Sequence, residues 1–476
     1  MFDHFESLFV LLGYCIVAIY AFVFVKTEKD IKKIFKYLLI SITIMNIVGL
    51  SQLIGKDIVT SEFAQKMIFS REIWENLENF SVGFEKGTIY LTLFNPNYVG
   101  VYIGLLLPII FTVFVLNIGK INKKDTFLYV INVLGLVMCL YGSGSTAAIV
   151  GIAVAFIFLI ILLWSYLFEN KYVGIGIIGF ILIVSVVIVI YRFEVVKKIV
   201  PLKSEVSLNE ITTTEQIEII YNNNKLYIDY EVNSFGNITF IVSDEYKVPI
   251  GYTIDIETGY FTIQDERFQN IKFISTVYSE TLGIKLNIEN KDWEFVKKED
   301  GSFYYLNRFM RLDKIKTAES TLFKGYERFA SGRGYIWSRT IPLLKKYMFL
   351  GSGADTFVIA FPQQDYVNLY NYGFSIGILT KPHNLYLQIG VQTGLISLLA
   401  FILFYLSYFI NSLKLYFKCR YTNTIETYGI AIFIGTISYM IIGLSNDSSI
   451  TVSPIYWALI GIGISINYKI KTSETS

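Results

Sequence analysis

Charge disappears from this chain for about twenty residues at a time, and it does so repeatedly. A helix rises about 1.5 Å per residue, so such a run is long enough to cross the roughly 30 Å hydrocarbon core of a bilayer. The runs fall at Ser7–Val25, Tyr37–Ile54, Asn97–Leu116, Thr126–Tyr141, Thr146–Trp164, Val173–Tyr191, Leu385–Ile410, Tyr428–Leu444 and Ser453–Tyr468. Thr126–Tyr141 and the last two are short, so one of them reads as a partial or tilted span. The chain is 53% hydrophobic and 17% charged, whereas soluble domains carry roughly 25% charged residues. A soluble protein's helices are apolar along one stripe, and these runs are apolar on every face. The expected fold is a polytopic α-helical membrane protein of about nine spans, with an inserted extracytoplasmic β-rich domain and a helical periplasmic-type loop.

Basic residues in the short connections set the orientation. Lys26, Lys29, Lys32, Lys33 and Lys36 follow the first run, and Lys120, Lys123 and Lys124 follow the third. Lys171 follows the fifth, Lys414, Lys418 and Arg420 the seventh, and Lys469 and Lys471 the last. The N-terminus and the turns Gly142–Ser145 and Asn446–Ile450 carry no base. By the positive-inside rule the N-terminus is expected outside and the C-terminus inside, with the large loop on the outer face of the membrane. Base lies after the first apolar run and not before it, which argues against a secretory signal peptide.

The chain therefore divides into residues 1–191 with six spans, 192–307, 308–384, and 385–476 with three spans. The stretch 192–307 reads as strands. Ile217–Ile220, Lys225–Val232, Asn237–Val242, Tyr252–Glu257, Phe261–Gln264, Ile271–Val277, Gly283–Ile288 and Trp293–Lys297 alternate or cluster β-branched and aromatic residues. Asn222–Asn224, Ser234–Gly236, Gly259 and Glu299–Gly301 punctuate them, as in a small antiparallel sheet or sandwich. From residue 308 the pattern turns helical. Leu312–Phe329 reads as an amphipathic helix, and Ser331 as the cap of a second that carries Arg333, Trp337 and Thr340 on one face until Pro342 interrupts it. Lys203 to Asp300 holds roughly twice as many acids as bases, although the net charge is only +2, which argues against nucleic acid as a partner. Cys15, Cys139 and Cys419 lie in spans or a short loop, so the outer segment folds without disulfides.

The chain has two histidines. His4 sits at the N-terminal tip and is given no role. His383, in Lys381-Pro382-His383-Asn384, stands where the outer segment re-enters the membrane. There an imidazole meets both an aqueous hydroxyl and a phosphate-bearing lipid, and its ordinary pKa allows proton transfer near neutrality. Asn384 can cap the following helix, whose free N–H groups favour an anion. The plainer reading of His383 is a polar anchor at the interface. Arg328, Arg333 and Arg339 form a second constellation suited to phosphate oxygens, or else a solvated helix face. Phe94-Asn95-Pro96-Asn97-Tyr98 reads as a helix start with proline and polar caps. Asp255 with Glu257, and Asp229 with Glu231, put paired carboxylates on one side of a strand, but no histidine joins them and a solvated face explains them.

Taken in order, several short blocks resemble the O-antigen ligase and O-antigen polymerase superfamily of membrane glycosyltransferases. They are Leu93-Phe94-Asn95-Pro96-Asn97, Ser143-Gly144-Ser145-Thr146-Ala147-Ala148, Gly332-Arg333-Gly334-Tyr335-Ile336-Trp337, Leu350-Gly351-Ser352-Gly353-Ala354-Asp355-Thr356-Phe357, Pro382-His383-Asn384-Leu385-Tyr386-Leu387-Gln388 and Gly394-Leu395. The resemblance implies that a glycan carried on a polyprenyl pyrophosphate is transferred, at the outer face of the bilayer, to a hydroxyl of a glycan, lipid or wall-polymer acceptor. It implies no nucleotide sugar, no metal and no other cofactor. It assigns His383 to activating the acceptor or stabilising transfer, and Arg333, with Trp337 beside it, to gripping the pyrophosphate. Arg339, Lys381, Asn384, Asn95 and Asn97 are the accompanying substrate-binding candidates. Many members carry a Ser-Arg pair where this chain has Ser145-Thr146, so either Lys381, Arg339 or Arg192 supplies the second cation or the donor is held differently. The resemblance leaves ligase and polymerase undivided. The alternative is a non-enzymatic membrane protein, either a transporter of lipid-linked glycan or a sensor using the β-rich domain. Transporters place ionisable groups within their spans, and these spans hold almost none.

Overall fold

The computed structural model describes residues 6–74, 83–164, 166, 174–175, 179, 205–235 and 238–475 of the chain. Two compact units emerge. One comprises Met1–Ile199, Tyr347–Phe357 and Lys381–Ser476, the other Val200–Lys346 and Val358–Thr380.

The first unit is helical. Its main helices are Leu8–Phe24, Glu28–Leu53, Pro96–Asn117, Lys123–Ser143, Thr146–Leu162, Leu385–Thr393, Leu395–Tyr416, Thr424–Ile442 and Ser453–Thr475. Their starts are set by polar caps. Thr27 forms a capping box with Asp30, and the side chains of Asn95, Asn122, Ser145, Asn384 and Asn423 each accept a backbone N–H of the first turn. Among the described residues five helices are long and apolar enough to cross a membrane: Glu28–Leu53, Pro96–Asn117, Lys123–Ser143, Leu395–Tyr416 and Thr424–Ile442. Leu8–Phe24 and Thr146–Leu162 are apolar but shorter. Apart from residues 174–175 and 179, the expected span Val173–Tyr191 lies outside the described residues, as do His4 and Arg192.

The Pro96 and Thr424 helices form the centre of this unit and are buried on nearly every face. Glycine allows them to approach their neighbours. A Cβ on Gly104 would sit 2.0 Å from Ile442, and one on Gly435 would sit 2.4 Å from Ile109, the small-residue contact that packs helices where no water drives them together. At the periphery Phe9, Ile16, Ile44, Leu399 and Leu403 point outward, an arrangement that costs free energy in water and none in lipid. The basic connections share one end of the unit: Lys469 Nζ donates to the Val25 carbonyl at 2.7 Å, and Lys120 Nζ to that of Tyr421 at 3.4 Å.

The expected single span Leu385–Ile410 is instead two helices broken at Gly394. Residues 348–353 lie alongside the break. Leu395 N donates to Met348 O, Ser352 N to Val391 O and Gly353 N to Gln392 O, at 2.8–3.0 Å. Gly394 has φ +90°, and a Cβ there would meet the Phe349 carbonyl at 2.2 Å; Gly351, φ +73°, meets Gln392 O equally closely. Tertiary hydrogen bonds thus replace the helical ones, and only glycine fits. Gly394→Ala is expected to lower stability by about 1–3 kcal/mol from backbone strain alone. A thermal melt of the detergent-solubilised protein measures this, and an unchanged midpoint would refute the interlock.

The second unit is mainly β. One antiparallel sheet has the order β1-β2-β3-β4, with β1 Leu208–Thr213, β2 Ile217–Tyr221, β3 Asn224–Val232 and β4 Ile238–Asp244. The other runs β11-β10-β9-β8-β7-β6-β5, from β5 Tyr252–Ile254, β6 Phe261–Ile263, β7 Ile271–Tyr278, β8 Thr281–Ile288 and β9 Lys291–Lys297 to β10 Phe303–Leu306 and β11 Leu312–Asp313. Buried side chains of both meet in one core, where Phe240 packs edge-on to Phe273 at 5.0 Å and Tyr230 to Phe303 at 5.8 Å. The eight strands expected from sequence are β2 to β9, with ends shifted by a few residues.

Three local expectations are corrected. Leu312–Phe329 is not a helix: after β11 the chain is irregular, because Asp313 is held by Tyr366 Oη at 2.6 Å and Gln364 Nε2 at 2.7 Å, and Lys316 N bonds Gln364 O. The following helix does not stop at Pro342 but runs Arg333–Lys346. Proline removes the hydrogen bond to the Ser338 carbonyl, and Thr321 N takes that acceptor at 3.0 Å. Asp255 lies beyond β5, in a turn where it accepts from Glu257 N and Thr258 Oγ1, so it and Glu257 do not share a strand face.

Candidate active site

Within the helical unit, the Pro382-His383-Asn384 corner is built against the turn that follows the Thr424 helix. Asn384 caps the Leu385 helix through Leu387 N at 2.9 Å, and its own Nδ2 donates to Leu444 O at 2.7 Å. Leu385 N donates to Gly443 O at 2.8 Å. These bonds hold His383 in the left-handed region, φ +51°, a conformation that non-glycine residues adopt only when their surroundings impose it. The result is a close pair: His383 Nδ1 lies 2.8 Å from Asp447 Oδ2, and Asp447 Oδ1 accepts the Asn384 amide at 3.2 Å.

The pair is asymmetric. The His383 side chain is 42% exposed and that of Asp447 1%. Burial pushes the Asp447 carboxyl up, but the charges of His383 and Lys381, with hydrogen bonds from His383 and the Asn384 amide, outweigh it and leave the group below its ordinary value. An ionised Asp447 accepts from Nδ1–H, which makes Nε2 the basic nitrogen of the ring. A buried carboxylate, an oriented imidazole and an accessible Nε2 are the parts of a general base.

Beside the pair is a cation. Lys381 is buried, with Nζ 3.3 Å from Tyr98 Oη. Burial favours its neutral form, but Tyr98, Asp447 and Glu6 outweigh that and hold it more basic than a free lysine. It lines a cavity of about 430 Å³ together with Asn95, Tyr98, Ser449 and Thr451. Asn95 is half-buried, and its Oδ1 accepts the amide of Asn97, an exposed residue outside the cavity lining. Lys381, Asn95, Asn384 and His383 are therefore brought to one end of one unit. Asp447 was missed from sequence. The available signal was an acid between two apolar runs, at the end expected to face outward.

Arg333, Trp337 and Arg339 belong to the β-rich unit. Arg333 opens its helix half-buried, with Nη1 3.3 Å from the Ala330 carbonyl. Trp337 is buried against Phe323 and Phe329. Arg339 is buried too. Its guanidinium lies 3.5 Å from Glu327 and 3.4 Å from Asp365, donates to Ser338 Oγ and stacks on Tyr335. Two carboxylates thus already meet its charge. Among the described residues no group of three or more His, Cys, Asp or Glu side chains is placed to hold a metal ion.

Residues 301–402 match the family model described as O-Antigen ligase. The chain carries an O-antigen ligase domain. The match includes Arg333, Trp337, Arg339, Lys381, His383 and Asn384, while Asn95, Asn97 and Asp447 lie outside it. Neither the curated proteins nor the solved structures contain a match to the chain. The match supports a part in cell-envelope glycan assembly in general. With the apolar helices beside it, the protein is a multi-pass membrane protein bearing a β-rich region.

Proposed function

We propose that the protein transfers a glycan from a polyprenyl pyrophosphate to an acceptor hydroxyl at the outer face of a bacterial plasma membrane. The observation that carries this reading is the His383–Asp447 pair next to the buried Lys381. His383 Nε2 removes the proton of the acceptor hydroxyl as its oxygen attacks the sugar's anomeric carbon. The bond from that carbon to the pyrophosphate breaks, and the leaving group departs with the electron pair. Charge grows on the pyrophosphate as this happens, and a fixed cation stabilises that change. Lys381 is the second cation that the missing Ser-Arg arginine calls for, Asn95 and Asn384 orient the substrates, and Arg333 keeps the gripping role that the family resemblance implies. Arg339 we assign to the scaffold, and Asn97 to the helix start.

Clustering of the basic connections at one end of the helical unit supports the N-out, C-in orientation. In that orientation the 192–307 insert and the 308–384 loop both belong to the outer side. The chemistry needs neither nucleotide sugar nor metal.

The test is reconstitution in liposomes with a radiolabelled lipid-linked glycan and an acceptor glycan or lipid. Wild-type protein is expected to form labelled product, and His383→Ala to lower the rate by about 10²–10⁴-fold, the usual contribution of a positioned base. Wild-type rates in folded His383→Ala protein would end this reading. Movement of the label across the bilayer without bond transfer would favour a transporter.

A further inference from the structure

Among the buried acids that the mechanism leaves unused is Glu6, which lies ahead of the Leu8 helix and is 2% exposed. Its Oε1 accepts from Tyr14 Oη at 2.9 Å and Ser448 Oγ at 2.6 Å, and its Oε2 from Gln388 Nε2 at 2.9 Å. Two of these donors belong to the chain pieces that carry the His383–Asp447 pair. Ser448 follows Asp447 directly. Gln388 is one helical turn beyond Asn384, whose carbonyl its amide bonds at 2.9 Å. Gln388 Oε1 in turn accepts Ser448 N at 2.7 Å, so the amide has a defined orientation and its NH₂ must face Glu6.

We propose that Glu6 is a positioning residue for the pair: the N-terminal segment clamps the His383 side and the Asp447 side together through Gln388 and Ser448. This rests on the transferase reading above. Glu6 touches neither member of the pair, so it acts on their geometry. An apolar cavity of about 410 Å³, lined in part by Leu11, Phe401 and Trp457, flanks the clamp. Bonds lost there are therefore not simply replaced by bulk water. Small displacements of reacting groups carry large rate penalties.

The full-length chain in liposomes provides the test, with kcat, acceptor KM, thermal midpoint and hydrogen–deuterium exchange of residues 446–449 as readouts. Glu6→Ala is expected to lower kcat by about 10–100-fold with little change in KM, and to speed exchange at 446–449. Glu6→Gln can accept from Gln388 with its oxygen and donate to the two hydroxyls, so it is expected to restore kcat to within about threefold. A Glu6→Ala protein with wild-type kcat, or one whose thermal midpoint falls while kcat and exchange hold, would overturn the proposal. Should Glu6→Ala not fold, Ser448→Ala cuts the same link, and wild-type kcat in that variant overturns it equally. If wild-type protein transfers no glycan, the transferase reading fails, and unchanged exchange at 446–449 in Glu6→Ala decides separately against the clamp.

Discussion

Asp447→Asn is expected to reduce glycan transfer by about 10²–10⁴-fold while leaving the protein folded. The substitution keeps size and shape. Its carbonyl oxygen can still accept the Asn384 amide, now at 3.2 Å from Oδ1, which turns the new NH₂ group toward His383 Nδ1. Nδ1 must then accept instead of donate, so the ring's proton moves to Nε2 and the base is lost where the acceptor needs it. The imidazolium that forms during transfer also loses its counter-charge. Initial rates in liposomes, with a melt to show that the fold stands, measure the effect. If His383 is only an interfacial anchor, Asp447→Asn transfers at the wild-type rate, and that result would remove both residues from the chemistry.

The second large effect is on stability. Arg339→Ala is expected to destabilise the β-rich unit by about 3–5 kcal/mol, because it leaves Glu327 and Asp365 buried without their cation. Burial already lifts the Asp365 carboxyl above its ordinary value, against the opposing pull of Asn368, Arg339 and Tyr335. Losing Arg339 lifts it further. A carboxyl raised on folding binds more protons in the native state than in the unfolded one. Stability therefore falls as pH rises from the ordinary carboxylate value, about 4, toward the raised one. The deficit of Arg339→Ala is accordingly expected to be largest at neutral pH and to shrink on acidification. Denaturant melts of wild type and variant at pH 5 and 7 check the sign. A small deficit that does not vary with pH would mean that Arg339 is not the ion-pair partner described, and would return it to the pyrophosphate candidates.

Both effects turn on partners that only folding brings together, Asp447 for His383 and Glu327 with Asp365 for Arg339, whereas other features were open to sequence alone. Apolar runs of span length, basic connections and alternating β-branched residues are local signals, and they were legible because each depends on residues close together in the chain. Membrane class, the β-rich insert, the eight strands β2 to β9 and the polar caps at Asn95 and Asn384 were all readable in this way. The family blocks around Arg333 and His383 were readable too, because their order survives without any knowledge of the fold.

Where a partner lies far along the chain, local pattern misleads or says nothing. Leu312–Phe329 has helical periodicity, yet bonds from Gln364 and Tyr366 draw its first residues into a strand edge. Pro342 reads as a helix stop until Thr321 takes the carbonyl that the proline leaves open. The span at Leu385 looks continuous until residues 348–353 lie against Gly394. Repeated loss of charge was enough by itself to determine that this chain crosses a membrane, since hydrocarbon tolerates little else. Only tertiary structure joined His383 to Asp447, 64 residues on, and to Glu6 beyond both. A lone acid near an apolar run gives no sequence signal of its partner, because it acquires one only when folding buries it there.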